Sequence, residues 1–371
     1  MNSNKKITLV ISSLAGGGAE GVCVSIANSF SEKGWNVDLI ILNLNNQVNY
    51  EKLANNVNLI LLNVKYARYS SISLLRYIFT CKPKLFFIFN YELSVILLIL
   101  RFLFRFKFKI ISRNINTMSI KIKKLKEKRF WSKYVVYNLI SYFYKKNDYI
   151  VNQCYAMQRD LLKIYPELIN STGVIYNPIP SRFENYANKE DLNKIKKKDY
   201  ILCVGRLEKQ KAFHYAIEAF AGITNQFPNL RLKIVGQGIL LKQLKKVAES
   251  FNISAKVDFE GYQKNIIPYY LKAKVTILTS HYEGYPNVLI ESIAMNTPVI
   301  AFDCMSGPNE IIQDGINGYL VKHLDIIDLK EKLSNFLANK TIMKKNLKNS
   351  LRRNEIKSII NNYEKLFNSF I

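Results

Sequence analysis

At 371 residues, 49% hydrophobic and 22% charged, the chain is long and apolar enough to bury two substantial cores, which excludes a disordered protein. Its 54 Lys and Arg against 28 Asp and Glu leave a net charge of +26, which favours anionic partners: phosphate groups, nucleic acid or an anionic membrane face. Cys23, Cys81, Cys154, Cys203 and Cys304 show neither paired nor metal-ligand spacing and lie mostly in apolar runs, the pattern of a reduced, cytosolic protein.

The opening MNSNKKITLVISSLAGGGAEG puts Lys5 and Lys6 before a short apolar run that ends at Ser12, so it reads as a first buried strand and not as a signal peptide. Apolar runs suited to buried parallel strands recur at residues 7–12, 37–43, 58–63, 85–90, 109–112 and 149–153, with helix-length stretches between them. The most lipid-like segment, residues 84–106, is broken by Glu92, Arg101 and Arg105. It therefore holds no uncharged run of the roughly 18 residues that a spanning helix requires. After a polar connector, residues 177–199, a second series follows at 200–205, 230–236, 256–261, 274–280 and 298–303. This rhythm predicts an α/β protein of two similar, doubly wound domains joined near residues 177–181.

Ligands of such sheets bind beyond the carboxyl ends of the strands, and four of those junctions are chemically loaded. After the first strand, SLAGGGAEG offers Gly16, Gly17 and Gly18 before a helix, where backbone can approach an anion or a hydroxyl closely; a ligand-free tight turn fits equally well. In VGRLEKQKAF, Arg206 and Lys211 could converge on one diphosphate, or could simply be solvated. In IVGQGIL, Gly236 and Gly238 open another turn. In SHYEGYPNVLIESIAMNTPVIAFD, Pro286 suits a first helical turn, which would leave the N–H groups of Asn287, Val288 and Leu289 for phosphate oxygens. Glu291, one turn inside, can accept from a ribose diol, while Glu283 would face the group carried beyond the phosphates. Arg206 and Lys211, opposed to these carboxylates across the site, would offset their repulsion.

In their order and spacing, GGGAEG, VIYNPIP, VGRLEKQKAF, IVGQG, VDFEGY and SHYEGYPNVLIESIAMNTPVIAFDCMSGPNEIIQDGINGYLV resemble the family-four retaining glycosyltransferases of the two-Rossmann-domain, GT-B type, and in particular bacterial surface-polysaccharide enzymes. The resemblance implies two domains facing an interdomain cleft, an acceptor-binding domain at 1–180, a nucleotide-sugar domain at 181–350, and a terminal helix in 351–371 that returns to the first domain. It makes Arg206 and Lys211 the diphosphate pair, Glu283 the glutamate near the sugar and Glu291 the one near the ribose. Gly205, Gly236, Gly284, Tyr285, Pro286, Asn287, Val288 and Leu289 would complete the donor site, with the base read partly around Gly236 and Gly261 to Gln263. Gly17 and Gly18 would lie near phosphates and acceptor. Several relatives carry a histidine where this chain has ISRNIN, so Arg113 and Asn114 stand as the polar candidates there. Of His214, His281 and His323, His281 lies beside Glu283 and reads as a wall residue.

The implied reaction moves a hexose or N-acetylhexosamine from a UDP sugar, as co-substrate, to an undecaprenyl-diphosphate-linked glycan for O-antigen or capsule. No cofactor is expected, and the chain has no Asp-x-Asp metal motif. A nucleotide-sugar epimerase of similar fold is the alternative, and a non-catalytic sugar-nucleotide binder comes third. Between residues 101 and 146, fourteen Lys and Arg stand against Glu127 alone, interleaved with Phe130, Trp131, Tyr134, Tyr137, Tyr142, Phe143 and Tyr144. That composition resembles a membrane-surface face with aromatic anchors, which predicts a cytoplasmic protein held peripherally on the inner face of the cell membrane. A solvated basic helix with core aromatics is the plainer account. No nucleic-acid module accompanies the patch, and nucleic acid is not expected as a partner.

Overall fold

The run Leu85–Ile88 is buried at every residue, as expected where helices cover both faces of a parallel sheet. In the computed structural model, which describes residues 5–44, 48–127, 134, 136–339, 347 and 349–371, this run is a central strand. Lys128, Arg129, Phe130, Trp131 and Lys133, part of the basic aromatic stretch, lie outside the described residues. The chain divides into two compact units, Met1–Pro178 with Ile356–Ile371, and Ile179–Glu355.

The first unit is built on β1 (Lys6–Val10), β2 (Asn36–Ile41), β3 (Asn58–Leu61), β4 (Leu85–Ile88), β5 (Lys109–Arg113), β6 (Tyr149–Asn152) and β7 (Thr172–Val174). They form one sheet in the order β3-β2-β1-β4-β5-β6-β7, with parallel pairing throughout. Side chains alternate faces along a strand. Phe87 therefore joins the core made with helices Gly18–Glu32 and Ile356–Asn368. Phe86 and Ile88 join the core under helices Ser71–Cys81 and Tyr91–Phe104. The terminal helix docks through Tyr363 and Phe367, whose rings stand 5.2 and 5.1 Å from that of Phe87.

The second unit carries β8 (Tyr200–Val204), β9 (Arg231–Val235), β10 (Val257–Gly261), β11 (Val275–Leu278), β12 (Val299–Phe302) and β13 (Gly318–Val321), ordered β10-β9-β8-β11-β12-β13 and again parallel. β7 and β13, the last strand of each sheet, stand outside the expected runs. In both sheets the strand order reverses beside the unit's first strand, at β1/β4 and at β8/β11, and the crevice beyond the carboxyl ends of such a pair is where ligands of open α/β sheets sit. Among the described residues, no helix is long and apolar enough to cross a membrane.

Candidate active site

The β8/β11 reversal brings residues 206–211, which follow β8, against residues 279–283, which follow β11. Three bonds knit the two loops: His281 donates its N–H to the Gln210 carbonyl at 2.9 Å, Gln210 Nε2 donates to the Tyr282 carbonyl at 3.0 Å, and Thr279 Oγ1 donates to the Lys211 carbonyl at 3.2 Å. Lys211 ends a short turn, Lys209–Lys211, before Ala212 takes the left-handed conformation at φ 47°. That geometry aims its ammonium at Glu283, whose Oε1 lies 2.7 Å from Nζ, with the two side chains only 15% and 8% exposed. The same Oε1 accepts from Ser280 Oγ at 2.6 Å, and the Glu283 carbonyl accepts from Ser306 Oγ at 2.5 Å.

This pairing revises the role expected for Glu283. Its carboxylate is buried and joined directly to Lys211, because the strand reversal places the two on adjacent loops and not on opposite walls. Arg206 differs: its side chain is 68% exposed and pairs with Glu208 at 3.2 Å. Gly205 and Gly236 are where the β8 and β9 turns meet. A Cβ on Gly236, at φ 142°, would stand 1.9 Å from the Gly205 carbonyl oxygen, so the close approach requires glycine. The Gly236 N–H donates to Gly261 O at 2.8 Å, and Gln263 Nε2 donates to Glu260 O at 2.7 Å.

Glu291 lies on the helix Asn287–Ala294, where its Oε2 accepts the hydroxyl of Tyr270 at 2.9 Å. Tyr270 is fully buried; burial first, and the Glu291 charge second, push its hydroxyl well above the ordinary tyrosine range. Pro286 caps this helix from outside at φ −72° instead of entering its first turn. The Leu289 N–H is not open to a phosphate as expected, because it closes a turn onto the Pro286 carbonyl at 3.1 Å. Asn287 and Val288, the first two residues of the helix, are half-buried. Gly284 and Tyr285 are buried, and the Tyr285 hydroxyl accepts from Asn354 Nδ2 at 3.0 Å, so that ring is a packing element. Gly307, at φ 93°, lets the loop after β12 lie on this turn: a Cβ there would meet Pro286 Cδ at 2.6 Å and the Gly284 carbonyl at 2.7 Å.

The expected residues of the first unit divide. Gly17 is the N-cap of helix Gly18–Glu32, and the carboxylate over it is the protein's own Glu20, 2.2 Å from where a Gly17 Cβ would stand. An anion is thus already stationed at that helix end. Arg113 and Asn114, expected near the acceptor, are 2% and 1% exposed. Arg113 Nε donates to the Tyr363 hydroxyl at 2.8 Å and its Nη2 to Asn177. Asn114 donates to Asn152 Oδ1 at 2.7 Å and accepts from the Tyr144 hydroxyl at 2.6 Å. These partners hold the end of β5 to its neighbours, which is a structural duty. His281 packs its ring 5.8 Å from Tyr215, and burial followed by the His323 charge lowers its pKa. Among the described residues no three His, Cys, Asp or Glu side chains gather as metal ligands would. Tyr270, Ser280 and Ser306 were not among the expected residues; of the three, only Ser280, which follows β11, stood at a loaded strand end.

Residues 185–357 match the family described as glycosyl transferases group 1. The chain is 34% identical over 185 residues, 50% of its length and 49% of the relative's, to the N-acetylgalactosamine-N,N'-diacetylbacillosaminyl-diphospho-undecaprenol 4-alpha-N-acetylgalactosaminyltransferase of Campylobacter jejuni. It is 32% identical over 176 residues, 47% of its length and 49% of the relative's, to the amylovoran biosynthesis glycosyltransferase AmsD of Erwinia amylovora. The matched part is thus about half the length of each of these relatives. The structure of Anabaena HepE in complex with UDP and glucose superposes with a TM-score of 0.78 at 17% identity, covering 99% of this chain and 100% of that one. The lipopolysaccharide outer core galactosyltransferase WaaB superposes with a TM-score of 0.73 at 18% identity, over 99% and 100%. The fold is accordingly the two-sheet GT-B fold. Residues 185–357, which hold Arg206, Lys211, Tyr270, Glu283 and Glu291, are thus the part of the chain that is similar to the glycosyl transferases of group 1.

Proposed function

We propose that the protein is a metal-independent, retaining glycosyltransferase that moves a hexose or N-acetylhexosamine from a UDP sugar to an undecaprenyl-diphosphate-linked glycan, for bacterial O-antigen or capsule. The observation that carries this reading is the buried Lys211–Glu283 pair beside exposed Arg206 at the β8/β11 reversal. A diphosphate against this turn meets the Arg206 fork and the Lys211 ammonium. As the nucleotide departs, negative charge grows on its β-phosphate, and donors fixed beforehand stabilise it without reorganising. Glu283 acts through Lys211, holding the ammonium in place. Glu291, steadied by Tyr270, accepts from the ribose.

The acceptor hydroxyl attacks from the face the nucleotide leaves, which retains configuration; no protein group is assigned as its base. The first unit takes the acceptor, and its basic surface holds the protein on the inner face of the cell membrane, where lipid-linked acceptor and cytosolic donor meet. The undecaprenol named in the Campylobacter relative and the UDP in the Anabaena structure support this choice of partners. The test is a screen of nucleotide sugars with membrane extract, read by mass spectrometry. The expected result is a lipid-linked glycan heavier by one hexose or N-acetylhexosamine from one UDP sugar. Isomerised donor without transfer, or no reaction with any nucleotide sugar, would overturn it.

A further inference from the structure

A groove of about 540 Å³ lies at the amino-terminal edge of the first unit's sheet, where Lys109 opens β5 and Asp148 precedes β6. Its walls include Phe102, Phe106 and Phe143, together with Arg101, Lys107 and Lys146. Asp148 is the one carboxylate in the lining. It is consumed by Arg101 and by Lys109, the latter at 3.0 Å, and accepts the Ile110 N–H at 2.9 Å. Lys107 and Lys146 make no ion pair among the described residues. Lys146 instead rests 3.8 Å over the ring of Tyr142.

Beside the groove the helix Tyr91–Phe104 ends in three successive exposed apolar residues, Phe102 at 65%, Leu103 at 64% and Phe104 at 48%. Phe79, 59% exposed on the neighbouring helix, meets Phe104 and Phe106 with ring centroids 6.4 and 5.4 Å apart, so the tip is continuous across two helices. From residue 71 to 109 the basic residues 76, 82, 84, 101, 105, 107 and 109 face Glu92 alone. An apolar tip inside a basic ring matches the two layers of an anionic bilayer surface: acyl chains for the rings, and phosphates for the cations. A second copy of this chain would set like charge against like, and nucleic acid would leave Leu103 and Phe104 without apolar cover.

We infer that Phe102, Leu103 and Phe104 enter an anionic phospholipid bilayer as a wedge, with Lys107 and Lys146 taking lipid phosphates in the adjoining groove. This deepens the membrane reading above and rests on it. The test is sedimentation of the full chain with vesicles of phosphatidylglycerol and phosphatidylcholine, against vesicles of phosphatidylcholine alone. Phe102→Ser/Leu103→Ser/Phe104→Ser should weaken binding to the anionic vesicles by about tenfold or more, in line with loss of three inserting side chains. Lys107→Gln/Lys146→Gln should weaken it and flatten its salt dependence. Phe104→Trp, a milder change, should be quenched by brominated lipid beyond the wild-type signal. If the wild type ignores both vesicles, the membrane reading itself falls. If it binds and the triple variant binds equally, or Phe104→Trp is not quenched, the wedge is wrong while membrane attachment stands. A wild-type dimer that the triple variant dissociates would assign the tip to a second copy and overturn the inference.

Discussion

Lys211 Nζ lies 2.7 Å from Glu283 Oε1, an ion pair almost out of water that joins the first loop of the second unit to its fourth. Taking one partner from a buried pair leaves the other uncompensated. Lys211→Ala should therefore lower turnover on the order of 10²-fold, as loss of a preorganised donor does. Glu283→Gln should lower it by a smaller factor. On the proposed function Glu283 acts through Lys211, so the double variant should be no slower than Lys211→Ala, a non-additivity that steady-state kinetics on all four proteins would read. Independent, multiplying losses would separate the two roles.

Arg206 gives the opposite balance of stability and rate. Its pair with Glu208 is exposed, and such pairs contribute roughly 0–1 kcal/mol. Arg206→Ala should leave the melting temperature unchanged while lowering turnover about 10²-fold or more. Calorimetric melting and initial rates on one preparation check both halves.

The carboxylate on the helix Asn287–Ala294 is expected to report on the nucleotide alone. Glu291→Ala should raise the Kd for free UDP about tenfold, the equivalent of roughly 1.4 kcal/mol and a fair value for hydrogen bonds to a charged group. Tyr270→Phe should produce a smaller rise, since it removes only the hydroxyl that orients Glu291. Glu283→Gln should leave UDP binding nearly intact. Titration calorimetry with UDP distinguishes the three, and equal losses in the two glutamate variants would contradict the division of labour.

Asp38 on β2 carries a pH dependence unconnected with catalysis. Burial alone would raise its pKa. Hydrogen bonds from Lys6, Tyr77 and Asn58 outweigh that effect and hold the carboxyl below its ordinary value. Lys6 stands at 2.8 Å, the Tyr77 hydroxyl at 2.6 Å and Asn58 Nδ2 at 2.8 Å. A carboxylate depressed in the folded state adds stability above its unfolded pKa of about 3.9, and that stability is lost as pH falls through the lower folded value. Asp38→Asn should lower stability at neutral pH and flatten the acid limb of the profile. Urea denaturation followed from neutral pH down to about pH 3 measures both.

Most strands legible in the sequence are buried on both sides, although the edge strands β3 and β10 were legible from their runs as well. LFFI at residues 85–88 could hardly be anything else, whereas TGV at 172–174 and GYLV at 318–321 were passed over. Each is the last strand of its sheet, paired on one side only, and an edge position asks for little apolar sequence. For the site, the residue types at the strand ends pointed to Arg206, Lys211, Glu283 and Glu291. Their partners were hidden: 72 residues separate Lys211 from Glu283 and 21 separate Tyr270 from Glu291, distances closed only by the order of strands and the packing of helices. Arg113 and Asn114 were ambiguous for a related reason. A polar pair after a strand looks the same in sequence whether it faces a ligand or, as here, binds buried Tyr363, Asn152 and Tyr144.

Because β11 pairs with β8 while β9 and β10 lie on the other side, the two halves of the Lys211–Glu283 pair meet by skipping over two intervening strands. Such a long loop must close before the contact can reward it, so this corner of the unit is expected to form late in folding. A chain still emerging from the ribosome cannot hold a nucleotide here until residue 283 has been made and brought back against residue 211. Any ligand that recognises the finished corner selects against every partly assembled form. At a hundredfold excess over its Kd it would add about 2.7 kcal/mol to the stability of the completed unit. On the proposed function, the donor would then also be a folding ligand for this half of the chain, and cellular levels of donor would govern how much of the protein survives as well as how fast it works.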